Sequence, residues 1–248
     1  MTGAPPRVLV VIPTYNERDN LEILVEQVLA CGPGYGVFVV DDQSPDGTGA
    51  LADTLVTRYP GRVEVLHRTG RRGLGRSYVD ALSIAVTREE DIVCQMDADF
   101  SHDPAYLPTL VAAIEGRQLD LVIGSRYLNG VSVVNWPLRR LILSTFANRY
   151  VRTVTGLPAR DCTSGYRCWR RTALAKLPLR RFVSDGYAFL VEMLYEAMGS
   201  GCRIGEVPII YVERREGQSK MSRSVIFESV LMPWRMVLRN PGARRRRG

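Results

Sequence analysis

Two patterns of apolar positions alternate along the first half of the chain. Residues 8–12 form a continuous apolar run that ends at Pro13, which is typical of a strand buried on both faces of a parallel sheet. In residues 19–30 the apolar positions recur at the spacing of one helix face. The same unit repeats, with strands predicted at 37–40 and 63–66 and helices at 47–59 and 75–86. The alternation predicts an α/β fold with a doubly wound, mostly parallel sheet flanked by helices.

Polar side chains follow four of the predicted strands. Two further strands are predicted at 91–96 and 119–123, with a helix at 106–115 between them. The four strand ends carry Tyr15-Asn16-Glu17, Asp41-Asp42, Asp97-Ala98-Asp99 and Ser125-Arg126. Because ligands of such sheets bind beyond the carboxyl ends of the strands, we expect these four ends to line one crevice.

Beyond residue 130 the strict alternation fades. The pattern there predicts a basic amphipathic helix at 136–154, a helix at 185–198, a strand at 202–211 that contains Pro208, and a last amphipathic helix at 222–238 that is interrupted at Pro233. The glycine-rich segment 70–75 is interpreted as the turn into the third helix, with Arg71 and Arg72 within reach of a ligand.

Composition and charge narrow the class of protein. The chain has 248 residues, of which 46% are hydrophobic and 24% charged, a globular composition that favours one large domain over two. The formal net charge of +7 owes much to the arginine run 244–247, so the folded part does not require nucleic acid as a partner. Anionic partners remain: a nucleotide diphosphate, a phosphorylated acceptor or an acidic membrane surface.

Cysteine usage and hydropathy bear on the compartment. The five cysteines are odd in number and include no CxxC pair, so neither zinc nor a redox dithiol is indicated, and a reduced cytosolic compartment fits best. The N-terminus lacks the pattern of a signal peptide, and no apolar segment approaches the roughly 20 residues that span a bilayer. We therefore expect a cytoplasmic protein, soluble or peripheral at the cytoplasmic face of a membrane.

The Asp97-Ala98-Asp99 segment is the first candidate for chemistry. Two carboxylates one residue apart at a strand terminus can both reach a hard cation, and Mg²⁺ or Mn²⁺ suits them. Such a metal would bridge the oxygens of a nucleotide diphosphate. The alternative is a polar turn with a capping aspartate, and a lone D-x-D favours that alternative. The buried strand before it and the other polar strand ends reverse the preference.

The other strand ends each carry two interpretations. In Asp41-Asp42 one carboxylate is suited to accept hydrogen bonds from a base, most simply guanine. The alternative is that both cap the next helix, and we expect one residue for each task. Tyr15 is suited to pack on a base and Glu17 to bond a ribose or base group, although that loop is equally suited to cap a helix. His102 is expected only to orient its loop.

The segment from Arg214 to Lys220 is predicted to be a mobile loop. It is too polar and too interrupted by glycine for a regular element, and it carries a guanidinium and an ammonium that suit a diphosphate. Such a loop would close over a donor and stabilise its leaving group. Taken alone, a solvated charged loop is the more usual identity of such a run.

Seven segments of the chain match a known family. The matching segments are VIPTYNERDNL from Val11, VVDDQSPDGT from Val39, MDADFSHDP from Met96, GSRY from Gly124, DCTSGYR from Asp161, IGEVPI from Ile204 and the RxxGxSK pattern from Arg214. Together they resemble the dolichol- or polyprenol-phosphate mannose synthases of glycosyltransferase family 2, over nearly the whole chain. PTYNE and DD are widespread in family 2, whereas SPDGT, DADxSH and RxxGxSK together are much narrower.

The resemblance implies a GT-A fold that moves mannose from GDP-mannose to a polyprenyl monophosphate with inversion. It implies a donor site made of Pro13, Tyr15, Glu17, Val40, Asp42, Asp97, Ala98, Asp99, Arg126, Arg214 and Lys220. It implies a divalent metal, Mg²⁺ or Mn²⁺, on Asp99 and Ser101, with Asp97 a further candidate. Some members carry Gln where Ser101 stands, and Gln43 replaces the commoner Gly after DD, which should alter a turn rather than the chemistry.

The acceptor side follows from the same resemblance. A phosphate monoester is already anionic near neutral pH, so no general base is required, and the residues expected to aim the acceptor phosphate are Arg126, Arg139, Arg140 and Ser144. Asp99, Arg126, Arg214 and Lys220 are the expected catalytic residues, because catalysis would consist of positioning and electrostatics.

A lipid acceptor would also explain the amphipathic helices at 136–154 and 222–238, which resemble interfacial helices, although ordinary packing accounts equally well for the last one. The predicted organisation is a disordered N-terminus at 1–6, one domain at 7–240 with a donor half at 7–130 and an acceptor half at 131–240, and a basic tail at 241–248. Expected partners are the donor, the lipid acceptor, a membrane surface and, as in some members, a small membrane protein, but not nucleic acid.

Two rival hypotheses stay open. The first is another family 2 transferase that uses UDP-glucose or UDP-GlcNAc on polyprenyl phosphate. The second is a basic nucleic-acid-binding or regulatory protein with a degenerate Rossmann-like fold, which predicts salt-sensitive nucleic-acid binding and no need of a metal. The acidic strand ends speak against the second, because carboxylates repel phosphates unless a cation intervenes.

Overall fold

The structure of the protein is a computed structural model that describes residues 5–182, 184–212 and 223–245. The strands of these ranges are β1 (Val8–Thr14), β2 (Tyr35–Asp41), β3 (Val63–His67), β4 (Ile92–Gln95), β5 (Leu121–Ser125), β6 (Val133–Val134), β7 (Arg167–Arg170), β8 (Ile204–Pro208) and β9 (Tyr211–Val212). The helices are α1 (Arg18–Ala30), α2 (Thr48–Arg58), α3 (Leu74–Ala85), α4 (Leu107–Gly116), α5 (Leu138–Thr155), α6 (Arg171–Leu174), α7 (Gly186–Gly199), α8 (Arg223–Arg239) and α9 (Pro241–Arg245).

Seven strands form one sheet in the order β3-β2-β1-β4-β7-β5-β8. All neighbours are parallel except β7, which runs antiparallel to both β4 and β5. β6 and β9 pair separately as a short parallel ladder. The predicted mostly parallel sheet is therefore confirmed.

The core lies on both faces of this sheet. Along β1, Val8, Val10 and Ile12 belong to one buried cluster, which includes the apolar residues of α1 and α4. Leu9 and Val11 belong to the opposite cluster, which includes those of α3 and α7. Successive side chains of a strand point to opposite faces, so an unbroken apolar run is what a strand covered on both sides requires. Each such side chain contributes about 1.5–3 kcal/mol when fully buried.

Two predictions about the second half are wrong, and one strand was not predicted. β7 was not predicted, since its four residues include Arg167 and Arg170 and show no strand period. The predicted strand at 202–211 is split into β8 and β9. α8 runs without interruption through Pro233, even though proline removes one helical hydrogen bond. The unbroken helix α8 packs against α5 and α7.

The chain ends differ in part from the predicted organisation. Residues 241–245, expected in a basic tail, form α9, which packs against α7 with Ala243 buried. Residues 1–4 of the expected disordered N-terminus lie outside the described ranges. Among the helices that the structure describes, none combines the length and the hydropathy that crossing a bilayer requires.

Candidate active site

A cavity of about 440 Å³ opens at the carboxyl ends of β1, β2, β4 and β5. Its lining includes the predicted residues Pro13, Tyr15, Glu17, Asp42, Asp97, Ala98, Asp99, Arg126 and Arg140. The four polar strand ends thus share one crevice, as the topology of parallel strands predicts. Val40 is the exception among the described donor-site residues, because its side chain is fully buried in the core and does not line the cavity.

The loop after β4 presents two carboxylates to this cavity. The Asp99 Oδ1 atom accepts the backbone N–H of Ser101 at 3.1 Å and its hydroxyl at 2.5 Å. Phe100 between them adopts a φ of 59°, a left-handed conformation that folds the loop back on itself. Ser101 is buried and is absent from the cavity lining. The structure therefore places Ser101 behind Asp99, where it orients the carboxylate.

Asp97 is fixed through its backbone. Its N–H donates to Nδ1 of His102 at 3.1 Å, and the buried His102 ring stacks on Tyr166 with centroids 4.9 Å apart. Accepting this bond requires an unprotonated Nδ1, so a neutral ring carries its proton on Nε2. His102 orients the loop, as predicted.

The two carboxylates fit a hard divalent cation. In the described ranges, no three His, Cys, Asp or Glu side chains converge in a way that could hold a metal ion. A cation at Asp97 and Asp99 would therefore take further oxygen ligands from the substrate, and a diphosphate supplies them. Mg²⁺ and Mn²⁺ both prefer such oxygen donors.

The two aspartates at the end of β2, Asp41 and Asp42, have different surroundings. Asp42 lines the cavity, where its Oδ2 accepts the N–H of Gly73 at 2.9 Å and its Oδ1 accepts a short hydrogen bond from Arg68. Asp41 instead accepts the N–H of Ser44 in the following loop. The expectation that one of the two caps α2 is wrong: the residue before α2 is Gly47, without a side-chain cap.

Arg68 is a residue that the sequence reasoning missed. It is buried, and besides Asp42 it bonds Asp80 through Nε at 2.8 Å. It therefore holds the Asp42 carboxylate in place and offsets its charge. Arg68 stands between His67 and Thr69, just before the glycine-rich segment. Nothing in that local pattern indicates that the arginine side chain is buried.

Tyr15 and the glycine-rich segment close one side of the mouth. The Arg72 guanidinium lies 4.8 Å from the centroid of the Tyr15 ring and donates to its hydroxyl at 2.9 Å. Gln43 adopts a φ of 61°, a conformation in which glycine carries no steric cost, and its side-chain amide donates to the Gly70 carbonyl at 2.7 Å. Gln43 therefore tethers the loop after β2 to the glycine-rich segment.

Arg126 lies at the boundary between this cavity and a second one. Its Nε and Nη2 atoms donate to the two oxygens of Asp161, each at 2.6 Å, and Nη2 also donates to the Thr163 hydroxyl at 2.8 Å. Burial alone would lower the pKa of Arg126, but the Asp161 carboxylate outweighs it and raises that pKa. The rings of Tyr127, Trp136 and Tyr211 surround the guanidinium at 5.4 to 5.5 Å.

The second cavity is an apolar groove of about 320 Å³ between α5, α7 and α8. Its apolar lining includes Leu143, Phe146, Ala147, Val151, Ala188, Val191, Val230 and Met232. Arg126, Arg140 and Ser144 lie in its wall, and Arg126 and Arg140 also line the first cavity. The Arg140 guanidinium stands 4.4 Å from the centroid of the Trp136 ring. A polar chamber and an apolar groove thus meet at two arginines.

The predicted cations do not all converge on this junction. Arg139 is exposed and lines neither cavity, so the structure separates it from Arg140. Arg214 and Lys220, predicted to hold a diphosphate, lie outside the described residues.

Two of the helices that line the groove, α5 and α8, also carry exposed apolar residues. On α5, Leu138, Ile142 and Phe146 are each at least 60% exposed and recur every four residues, so they share one helix face. Trp234 and Leu238 extend the exposed apolar surface along α8, which packs against α5. Isolated exposed apolar residues are ordinary, but the three residues of α5 repeat along one helix face.

The sequence of this chain is similar to those of known proteins. Residues 9–177 match the model of the family described as glycosyl transferase family 2. The chain is 46% identical over 224 residues to the polyprenol monophosphomannose synthase of Mycolicibacterium smegmatis, which covers 90% of this chain and 84% of that protein. It is 43% identical over 244 residues to the undecaprenyl-phosphate mannosyltransferase of Micrococcus luteus, with 98% and 99% covered.

Solved structures show the same fold at low identity. The glucosyl-3-phosphoglycerate synthase of Mycobacterium tuberculosis, in complex with Mn²⁺, UDP-glucose and phosphoglyceric acid, superimposes with a TM-score of 0.67 and 21% identity, over 93% of this chain and 80% of that one. Its complex with Mn²⁺, UDP and glucosyl-3-phosphoglycerate gives the same TM-score. This likeness establishes the fold, which is GT-A.

Proposed function

This chain belongs to glycosyltransferase family 2 and is a glycosyltransferase, and we propose that it transfers mannose from GDP-mannose to a polyprenyl monophosphate with inversion at the anomeric carbon. The observation that carries the proposal is the junction at Arg126 and Arg140, where a polar cavity with two carboxylates meets an apolar groove. A water-soluble nucleotide sugar and a lipid phosphate are the two kinds of substrate that such a junction joins. The names of the two mannosyltransferase relatives support mannose as the transferred sugar and a polyprenyl phosphate as the acceptor.

The donor would occupy the polar cavity. Asp42, held by Arg68 and the Gly73 N–H, would accept hydrogen bonds from guanine, and Tyr15, which also lines the cavity, would pack on the base. Asp97 and Asp99 would hold Mg²⁺ or Mn²⁺ together with the diphosphate, and Ser101 would keep Asp99 oriented. When bound, the metal would act as a Lewis acid that offsets charge on the departing diphosphate.

The acceptor would lie in the apolar groove with its phosphate at the junction. Arg126 presents donors that are fixed by Asp161, and Arg140 brings a second guanidinium from α5. The Ser144 hydroxyl, which lies 2.7 Å from the Tyr127 hydroxyl, would donate to a phosphate oxygen. Guanidinium groups suit phosphate because their donors match its geometry.

The reaction needs no proton acceptor. A phosphate monoester loses its second proton near pH 6, so at neutral pH its oxygen attacks the anomeric carbon directly. The new bond joins that oxygen to the anomeric carbon, the bond from this carbon to the diphosphate oxygen breaks, and GDP leaves with the electron pair. The arginines orient the attacking phosphate, and Arg214 and Lys220 remain candidates for stabilising the leaving group.

The exposed apolar face of α5 and α8 supports peripheral attachment to a membrane. Apolar residues at the mouth of a lipid-binding groove would enter the interface, while the arginines of α5 would meet anionic headgroups. The acceptor would then reach the groove without leaving the bilayer surface.

The test is an assay of purified protein with GDP-mannose, Mn²⁺ and a short polyprenyl phosphate, read by mass spectrometry. We expect a product heavier than the acceptor by one hexose, together with GDP. Parallel reactions contain UDP-glucose and UDP-GlcNAc, and thermal shifts with GDP and UDP are recorded beside them. Transfer from a UDP-sugar alone, with stabilisation by UDP and not GDP, would replace the proposed donor by the rival one.

A further inference from the structure

Tyr78 on α3 is fully buried, yet its hydroxyl has no hydrogen-bond partner within the part of the chain that the structure describes. Its ring stacks on Phe189 of α7, with centroids 6.0 Å apart and planes within 7°. This packing fixes the direction of the hydroxyl. A buried polar group without a partner costs free energy, and native proteins retain few of them.

The position of Tyr78 shows where a partner can come from. The residue lies in the wall of the polar cavity, together with Asp97 and Asp99. The other buried side-chain atoms that lack a partner in the described ranges are Ser83 Oγ, Trp136 Nε1 and Arg152 Nε. None of those three residues lines the polar cavity.

Neighbouring polar groups of the same wall already have partners. The Ser77 hydroxyl donates to the Gly73 carbonyl at 3.1 Å, and Nδ1 of His102 accepts the N–H of Asp97. The Thr163 hydroxyl accepts from Arg126. Protein contacts account for these groups. The Asp97 carboxylate lies near the Tyr78 hydroxyl but does not form a hydrogen bond of regular geometry with it, which leaves this hydroxyl to a ligand.

We propose that the Tyr78 hydroxyl donates a hydrogen bond to an oxygen of the diphosphate–sugar portion of the bound nucleotide sugar. The inference rests on the donor site proposed above. Asp42 and Tyr15 are the proposed contacts of the base, whereas the carboxylates that act electrostatically on Tyr78 are those of Asp97 and Asp99. Either a phosphate oxygen or a sugar hydroxyl accepts such a bond, and the two are distinguished by comparing GDP with GDP-mannose.

Tyr78→Phe is the direct test, because it removes one oxygen and keeps the ring. We expect the melting temperature of the free protein to stay equal or rise, since the hydroxyl has no protein partner to lose. We expect the Kd for GDP-mannose, measured by calorimetry with Mn²⁺, to rise about tenfold, which corresponds to about 1.4 kcal/mol. A tenfold rise for GDP as well assigns the bond to the diphosphate, and a rise for GDP-mannose alone assigns it to the sugar.

Tyr195→Phe is the matched control. Tyr195 is a buried tyrosine of α7 whose hydroxyl donates to the Asn240 carbonyl at 2.8 Å, and it does not line the polar cavity. Its variant should melt at a lower temperature and bind GDP-mannose as the unmodified protein does. An unchanged Kd for Tyr78→Phe would overturn the inference, as would a fall in its melting temperature equal to that of the control.

One further outcome also counts against the inference. If Tyr78→Phe weakened Mn²⁺ binding in the absence of nucleotide, measured by electron paramagnetic resonance, the hydroxyl would serve Asp97 rather than the donor. Binding of GDP-mannose or UDP-glucose by the unmodified protein tests the proposed function separately. If that protein bound UDP-glucose and not GDP-mannose, the proposed donor would fall and the comparison of Tyr78→Phe with Tyr195→Phe would be made with UDP-glucose.

Discussion

The guanidinium of Arg126 donates two hydrogen bonds of 2.6 Å to the carboxylate of Asp161, at the junction of the polar cavity and the apolar groove. Asp161 is fully buried, and its own backbone N–H donates to Glu206 at 3.0 Å. The pair is neutral overall, so Arg126 is a fixed donor rather than a net positive charge. The charge that draws an anionic acceptor must therefore come from other cations of the site, and Arg140 lines both cavities.

Asp161→Asn is predicted to destabilise the protein strongly. The substitution leaves a buried guanidinium without its counter-charge, and breaking such a pair from one side costs about 3–5 kcal/mol. Urea denaturation measures this loss. The double variant Arg126→Gln with Asp161→Asn removes both charges and should recover part of it. Equal stabilities of the single and double variants would mean that the charge of Arg126 is not what Asp161 compensates.

Arg140→Ala is predicted to weaken acceptor binding. Losing a charged hydrogen bond to phosphate costs about 1.5–3 kcal/mol, so the KM for polyprenyl phosphate should rise about 10- to 100-fold. The KM for the donor should change less. Arg139→Ala is the matched control, one residue away on the same helix but outside both cavities, and its KM should be normal. Equal effects of the two variants would show that α5 contributes only a general positive field.

Asp99→Asn is predicted to lower turnover about 100-fold or more, because a carboxylate that holds the metal against the diphosphate acts on the leaving group. Mn²⁺-dependent stabilisation by GDP, read as a thermal shift, should vanish with it. Asp103→Asn serves as the control, since Asp103 caps the short helix Pro104–Tyr106 and asparagine caps as well as aspartate. A variant at Asp99 with normal turnover would remove this residue from the proposed metal site.

Ile142→Ser is predicted to weaken binding to anionic lipid vesicles about tenfold or more, because an apolar side chain contributes about 1.5–3 kcal/mol when buried. Ile142 is 60% exposed on α5 and lines neither cavity, so catalysis on a soluble acceptor should persist. Ile23→Ser is a suitable comparison, since Ile23 is 52% exposed on α1. Vesicle flotation measures the binding of both variants. An identical loss of vesicle binding in Ile142→Ser and Ile23→Ser would exclude the α5 face as the docking surface.

The cysteines are predicted to react slowly with iodoacetamide in the native protein. Burial raises the pKa of Cys162 to about 12, and it also raises the pKa of the partly exposed Cys31 and Cys202. Only the thiolate attacks, so a raised pKa lowers the reactive fraction at a given pH. Mass spectrometry at pH 8 should find slow labelling of Cys31 and Cys202, and labelling of Cys162 only after unfolding. Rapid native labelling of Cys162 would contradict its burial.

The sequence contained enough to predict most of the first half. Unbroken apolar runs such as residues 8–12 identify strands covered on both faces, and helical spacing identifies the helices between them. Parallel strands bring their carboxyl ends to one edge whatever the details of packing. That is why Asp42, Asp97, Asp99 and Arg126 lie around one cavity.

Other features depended on contacts between distant segments. β7 pairs with β4 and β5, and its register opposes Cys168 to Cys94, far away in the chain. A four-residue strand has no period of its own to detect, so only its neighbours define it. The same holds for Arg126 and Asp161, which are 35 residues apart.

The sequence by itself therefore determined the fold class, the cluster of polar strand ends and the family, because local periodicity and short motifs carry that information. Tertiary structure decided between Arg139 and Arg140, which the sequence left open, and it supplied the physical reason for the choice of Asp42 that the family resemblance had implied. Asp42 lines the cavity and Asp41 does not, because successive strand residues point to opposite faces. Arg140 lines the junction and Arg139 does not, because a helix turns each residue about 100° from the last and packing on α7 and α8 selects the face.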